Sequence, residues 1–125
     1  ITGASTTMLM GVMTASGSLS SYVGNNGSIG YGSGSDIYLN NTAIAAQANY
    51  SPGVTIGIAV DFAAGKIWFA RNNVFVGSPA AGTGGYSLPG SSVALAASPN
   101  TATATVNTGI VPFTYSPPSG FAPWG

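Results

Sequence analysis

The stretch GIAVDFAAGKIWFARNNVFV, which spans residues 57–76, constrains the fold of this 125-residue chain more than any other feature. Large apolar residues alternate with small or polar ones, and turn residues interrupt the alternation twice. This is the pattern of three consecutive antiparallel β-strands. Six large residues in and just before this stretch are expected to be buried in a core: Ile56, Ile58, Val60, Phe62, Ile67 and Phe69.

Two short turns separate these strands. Gly65 is suited to the first because glycine adopts positive φ without a steric cost. The pair Asn72-Asn73 is suited to the second, since Asn tolerates the left-handed region. Three of the four charged residues, Asp61, Lys66 and Arg71, lie here as well. They could form a polar binding patch, but we expect Asp61 to cap its turn or pair with Lys66, an interaction of about 0–1 kcal/mol at a surface.

Short extended segments separated by Gly and Pro make up the rest of the chain. The one helix candidate, residues 43–48, is too short to be stable alone. Strands are predicted at residues 6–14, 29–31, 36–40, 54–62, 66–71, 74–76, 93–98 and 101–108. Loops are predicted at residues 24–36 and 77–90, and residues 112–121 form an extended closing segment. Many short strands of this kind indicate an all-β sandwich.

The order of the central motif is Asp61, Gly65-Lys66, the triplet Ile67-Trp68-Phe69 and then Asn72. It resembles the SPRY domain, a concanavalin A-like β-sandwich of the jelly-roll type, and most closely the versions in phage tail and other virion proteins. Three further blocks are similar in order and spacing: Ser78–Gly84, Asn107-Thr108-Gly109 with Pro112-Phe113, and Pro117–Phe121.

The resemblance covers residues 9–121 and implies one antiparallel β-sandwich domain over residues 1–125. The opening strands of the family are missing before residue 9, so we expect either a piece of a longer polypeptide or a sandwich trimmed at its N-terminus. Two residues depart from the family pattern. Asn73 replaces the turn Gly, and Thr108 replaces a Phe, which removes a core aromatic.

The charge composition excludes several kinds of partner. The chain has two basic and two acidic residues and a net charge of zero. Binding to nucleic acid or to an anionic membrane relies on many basic side chains, so we expect neither. No apolar run approaches the length of a membrane span. So few charges are unusual for a free surface, and they favour a homo-oligomer or a larger assembly.

Catalytic residues are scarce in this sequence, which has no His, Cys or Glu. Glycosidases use two facing carboxylates, but the only acids, Asp36 and Asp61, are far apart in sequence. Metal sites need several Asp, Asn, Glu or His ligands close together. We therefore predict that the protein is not an enzyme and holds no metal or cofactor.

Loops and turns rich in Tyr and Asn are the predicted binding surface, since such side chains combine aromatic area with directed hydrogen bonds. The residues expected to bind are Tyr31, Asp36, Tyr38, Arg71 and Asn73. With the resemblance, this predicts an extracellular recognition module, on a phage virion or tail fibre, that binds a host-surface glycan or protein.

A structural role is the alternative. The low charge and the small-residue strand at residues 101–106, whose flat face could stack on a neighbour, fit a decoration or spacer domain that contacts other virion subunits. An exposed Tyr/Asn surface would favour recognition, whereas loops buried between copies would favour assembly. The fold alone does not decide between the two.

Overall fold

Two antiparallel β-sheets form the molecule in the computed structural model, which describes residues 8–100 and 103–124. The strands within these residues are β1 (Leu9–Met13), β2 (Ser28–Gly32), β3 (Asp36–Leu39), β4 (Thr42–Ala46), β5 (Ile56–Asp61), β6 (Lys66–Arg71), β7 (Val74–Phe75), β8 (Tyr86–Ser87) and β9 (Ala94–Ser98). No helix occurs in the described residues. The predicted all-β, antiparallel sandwich is confirmed.

The first sheet has five strands in the order β4-β3-β2-β1-β9. Its register pairs Met10 with Tyr31, Val12 with Ile29 and Tyr31 with Ile37. Paired residues point to the same side of a sheet, so these large residues form one face, and all of them are buried. On the opposite face, Gly11 of β1 pairs with Gly30 of β2, so the middle of that face carries no side chains.

The second sheet contains the predicted meander, with strand order β5-β6-β7 and with β8 pairing to another part of β6. Ile58 pairs with Phe69, and Val60 pairs with Ile67, so all four point towards the first sheet. Trp68 points the other way, as the alternation predicts, and is fully buried on the outer side.

The core lies between the two sheets, where Phe69 and Ile67 meet the large residues of β1, β2 and β3. Tyr50 enters this core from the connection before β5, and its ring packs edge-on against Tyr31 at 5.0 Å between centroids. Its hydroxyl lies 2.9 Å from the carbonyl oxygens of both Met8 and Tyr31, which satisfies a buried polar group.

Most of the expected core residues are confirmed. Ile56, Ile67 and Phe69 are buried, while Ile58 and Val60 are half-buried and pack against the core. Phe62 is the exception, because 53% of it is exposed. It follows the last residue of β5, so the alternation that would turn it inward has ended, and its ring lies against Trp124 at the rim instead.

The secondary structure differs from the sequence prediction at three places. Residues 42–46 form a strand where only a weak helix candidate was considered, and residues 86–87 form a short strand within a predicted loop. Residues 103–108 contain no regular strand, although their alternation predicts one; residues 101–102 of that segment lie outside the described part. Residues 6 and 7 of the first predicted strand also lie outside it.

The hairpin turns explain why the strands reverse where they do. Asn72 and Asn73 have φ of 47° and 68°, so both adopt the left-handed region, as predicted. Asn40 and Asn41 repeat this geometry with φ of 49° and 68° and join β3 to β4. The second Asn-Asn pair therefore creates a hairpin that the sequence analysis missed, although it carries the same signal.

Candidate functional site: an exposed tyrosine surface

Two of the five predicted binding residues lie on the outer face of the five-stranded sheet. In β3, Ile37 points into the core, so Asp36 and Tyr38 on either side of it point outward. Both are half-buried, and a Cβ added to Gly24, in the connection between β1 and β2, would lie 2.6 Å from Tyr38 Cβ. The strand alternation thus presents one carboxylate and one phenol on the same side of the sheet.

The connection between β1 and β2 lies across this outer face. A Cβ added to Gly30 would come within 2.7 Å of the carbonyl oxygen of Val23, so only glycine permits this close approach. Val23, which belongs to this connection, is buried, and its N–H donates to Ser98 Oγ at 2.7 Å. The N–H of Gly24 donates to Ser28 Oγ at 2.7 Å, which ties the connection to β2. This fixed path brings the preceding residue, Tyr22, next to β3.

Tyr22 and Tyr38 form the centre of the site. Their rings meet edge to face, with centroids 6.1 Å apart and planes at 77°. The Tyr22 hydroxyl donates to Asn41 Oδ1, and the Tyr38 hydroxyl donates to Asp36 Oδ2 at 3.3 Å. We call these four residues, Tyr22, Asp36, Tyr38 and Asn41, the tyrosine surface. It combines aromatic area with a carboxylate and an amide on a rigid sheet.

The electrostatics of the tyrosine surface are set by its one charge. The Asp36 carboxylate raises the pKa of Tyr38 above its ordinary value of 10.0, because the negative charge disfavours a second anion beside it. Partial burial and the hydrogen bond to Asp36 act in the same direction. Tyr38 therefore keeps its hydroxyl proton at physiological pH.

Tyr31 does not belong to any surface, so its predicted role in binding is wrong. It is fully buried between the sheets, and its hydroxyl donates to the carbonyl oxygen of Ala48. Burial raises the pKa of Tyr31, while the nearby positive charge of Arg71 partly offsets this effect. The sequence predicted a short strand at residues 29–31 within a glycine-rich loop, and in the structure the alternation of β2 turns the ring of Tyr31 into the core.

Arg71 and Asn73 lie on the other sheet. Arg71 ends β6, and Asn73 forms the turn into β7; both are exposed. No hydrogen bond or ring contact joins either of them to Asp36 or Tyr38 in the described structure. The five predicted residues therefore divide into a surface pair on β3, a second pair at the β6–β7 turn, and one core residue.

Neither Tyr22 nor Asn41 was among the predicted binding residues. Tyr22 is 14 residues before Asp36, the first residue of β3, and the path of the connection over Gly30 brings it there. Asn41 had a usable signal, because the Asn40-Asn41 pair matches the Asn72-Asn73 turn and predicts a hairpin that carries Asn side chains beside β3.

A second candidate site is a groove beside β5 with a volume of about 570 Å³. One wall is β5 and the other is the segment 111–124, which contains no regular strand. Six of the lining residues are aromatic: Phe62, Phe75, Phe113, Tyr115, Phe121 and Trp124. None of the lining residues is charged. Nothing in the sequence predicted this groove, because it forms between elements that are far apart in the chain.

The described residues contain no cluster of three or more His, Cys, Asp or Glu side chains that could hold a metal ion. Among the same residues, no helix is long and apolar enough to cross a membrane. Comparison with protein-family models, with curated proteins and with solved structures finds no match.

Proposed function

We propose that the protein is a non-catalytic recognition module of SPRY-like type that binds a host-surface glycan or protein from the outside of a phage virion or tail fibre. The observation that carries this proposal is the tyrosine surface, where two half-buried tyrosine rings, a carboxylate and an amide lie together on the outer side of one sheet. The SPRY-like character itself is supported by the motif at residues 61–72 and by the two-sheet architecture.

The chemistry of the tyrosine surface suits recognition. Tyr side chains provide large contact area at low entropic cost, and their hydroxyls orient a polar partner. The tyrosine surface is held in place by the fixed connection between β1 and β2, so little ordering is needed on binding. One carboxylate without a second acid or a base nearby gives no route to general acid–base catalysis.

Charge predicts how such binding should respond to salt. Asp36 is the only charge of the tyrosine surface, and the chain has no net charge. Long-range steering is therefore weak, and binding is expected to depend little on ionic strength. A small surface of this kind binds modestly, so many copies on one particle would supply avidity.

The experiment measures adsorption of the domain in many copies on fluorescent beads to bacterial cells and to an array of bacterial surface glycans. Tyr22→Ala with Tyr38→Ala should abolish adsorption to any cell or glycan that binds the wild type. Tyr115→Ala, which removes an exposed tyrosine of the C-terminal segment, is the matched control and should adsorb normally. Circular dichroism checks that each variant is folded.

The hydroxyl contribution can be separated from the ring contribution. Tyr22→Phe with Tyr38→Phe keeps the aromatic area and removes both hydroxyls, so intermediate adsorption is expected if the partner accepts hydrogen bonds there. If the double Ala variant adsorbed as well as the wild type, the tyrosine surface would not be the binding site. The assembly role would then be the better explanation.

A further inference from the structure

The groove beside β5 is elongated, and aromatic side chains lie at both of its ends. Phe75 lies at one end, where its Cζ is 3.8 Å from the position of a Cβ added to Gly57. Phe62 lies at the other end, and its ring packs edge-on against Trp124 with centroids 6.0 Å apart. Gly57 and Phe62 are five residues apart, which corresponds to about 17 Å along a strand. Aromatic contacts are therefore available along most of the length of β5.

The polar side chains of the lining lie mainly at the mouth of the groove. Most of them are exposed, namely Asn73, Thr105, Thr114, Tyr115 and Ser116. Asn107 is half-buried, but its Nδ2 already donates to the carbonyl oxygens of Val111 and Pro112 at 3.1 Å and 3.3 Å. Its Oδ1 accepts the N–H of Gly109 at 2.9 Å. The interior of the groove is therefore mainly apolar.

The wall formed by the segment 111–124 is held in place by its own contacts. The hydrogen bonds from Asn107 fix the start of this segment. Further along, the N–H of Phe121 donates to the carbonyl oxygen of Pro118 at 3.0 Å, and the Phe121 ring packs edge-on against Trp68. Prolines restrict φ at four positions of the wall: Pro112, Pro117, Pro118 and Pro123. A wall with so few free torsions resists collapse into the groove.

The size and charge of the groove limit what it can hold. Its volume of about 570 Å³ lies within the range of about 300–1,000 Å³ that is typical of small-molecule sites. None of the described lining residues is charged. A charged ligand would lose its hydration here without gaining an opposite charge, which is unfavourable. Aromatic walls instead favour ligand rings, which pack edge to face or offset against them.

We propose that this groove binds an uncharged, elongated small molecule made mainly of apolar rings. Its rings would lie along β5 between Phe75 at one end and Phe62 with Trp124 at the other. Any hydroxyl or amide group of the ligand would lie at the mouth, beside the exposed polar residues and water. A wall that is already in place needs little ordering on binding, which favours affinity.

This proposal does not rest on the recognition function. The tyrosine surface lies on the outer side of the five-stranded sheet, whereas the groove lies beside β5 of the other sheet. The variant Tyr22→Ala with Tyr38→Ala should therefore bind a groove ligand as tightly as the wild type. Loss of groove binding and loss of adsorption are separate outcomes of separate experiments.

Two fluorescent probes that differ by one charge test the proposal. Phenylnaphthylamine is uncharged, and anilinonaphthalene sulfonate has the same ring system with one added sulfonate. Titration of the wild-type protein should give saturable binding of one phenylnaphthylamine molecule per chain, at least about ten-fold tighter than binding of the sulfonate. Absence of saturable binding, or equal affinity for the two probes, would overturn the proposal.

A charge placed in the lining shows where the probes bind. Val111 lines the groove and is 57% exposed, so Val111→Lys should leave the fold intact. The new cation attracts the sulfonate, and the preference for the uncharged probe should fall about five-fold or more. Leu19→Lys is the matched control, because it adds the same charge at an exposed residue of the β1–β2 connection. An equal change in both variants would place the probes outside the groove and refute the proposal.

A second copy of the chain is the competing occupant of the groove. Sedimentation equilibrium, with and without phenylnaphthylamine, distinguishes the two. The proposal predicts the same probe affinity at every protein concentration and no change of mass when the probe binds. If the chain dimerised and the probe dissociated the dimer, the groove would be an interface between copies, and the proposed ligand class would be wrong.

Discussion

The two outer faces of the sandwich are both covered by a chain connection, but by different means. On the five-stranded sheet, the connection between β1 and β2 lies directly on Gly30, and the aromatic residues Tyr22 and Tyr38 beside it stay half-buried. On the four-stranded sheet, the loop 78–85 is held by the side chain of Trp68, whose Nε1–H donates to the carbonyl oxygen of Thr83 at 2.9 Å.

The second loop is fitted closely around Trp68. Lys66 Nζ lies 3.4 Å and 3.3 Å from the carbonyl oxygens of Gly82 and Gly84 and donates to them. A Cβ added to Gly85 would lie 2.7 Å from Trp68 Cε2, and the φ of Gly85 is +80°. Phe121 completes the enclosure with its ring edge-on at 6.1 Å.

The comparison shows that an aromatic residue on the outer face of a strand has no fixed role. Trp68 stabilises a loop and is removed from solvent, whereas Tyr38 lies beside a loop that is already held by backbone contacts. On the five-stranded sheet, the covering loop needs no aromatic anchor, so Tyr38 remains available to a partner. This difference motivates the assignment of recognition to the five-stranded sheet.

The largest expected effect is at Trp68. Trp68→Ala should lower the free energy of unfolding by about 3–5 kcal/mol, because it removes a fully buried ring and leaves a cavity under the loop 78–85. Tyr38→Ala, the same kind of truncation on the exposed face, should cost much less. Urea unfolding followed by circular dichroism measures both. Equal losses for the two variants would mean that the faces do not differ as described.

Gly30 should show the next largest effect. Gly30→Ala should lower the free energy of unfolding by about 1–3 kcal/mol, since the new Cβ meets the backbone of Val23 and forces the connection off the sheet. Gly34→Ala is the matched control, because no atom lies within 4 Å of its added Cβ. Gly30→Ala should also weaken adsorption, because it displaces Tyr22. A Gly30→Ala protein as stable as the Gly34→Ala protein would contradict the close packing of this connection.

Much of the fold could be predicted because it depends on local patterns. The alternation in residues 56–71 predicts which side chains of β5 and β6 point into the core. The Asn72-Asn73 pair predicts the turn that joins β6 to β7. Asp61 caps its turn as expected, since its Oδ1 accepts the N–H of Ala64 at 2.9 Å. The predicted alternative was an ion pair between Asp61 and Lys66. Lys66 instead donates hydrogen bonds to the carbonyl oxygens of Gly82 and Gly84.

The candidate site was only partly predictable because it depends on contacts between distant residues. The predicted strand at residues 36–40 contains Asp36 and Tyr38, and its alternation puts both on one face. It could not show that β2 would bury Tyr31, since a five-residue strand within a glycine-rich stretch has little apolar pattern of its own. Tyr22 reaches β3 because the connection packs closely on Gly30. This tertiary contact leaves no pattern in the local sequence.

The smallest expected effect concerns the ionisation of Tyr38. Asp36→Asn should lower the pKa of Tyr38 towards 10.0, because the main cause of its raised value is the Asp36 charge, and the hydrogen bond to the carboxylate acts in the same direction. Ultraviolet difference titration or NMR of the tyrosine ring measures this change. Asp61→Asn removes an equal charge from the end of β5, on the other sheet, and should leave the pKa of Tyr38 unaltered. Added salt should reduce the difference between wild type and Asp36→Asn, because exposed charges are screened. If Asp36→Asn left the titration of Tyr38 unchanged, the carboxylate would not contact the phenol in solution, and the tyrosine surface would lose the polar half of its chemistry.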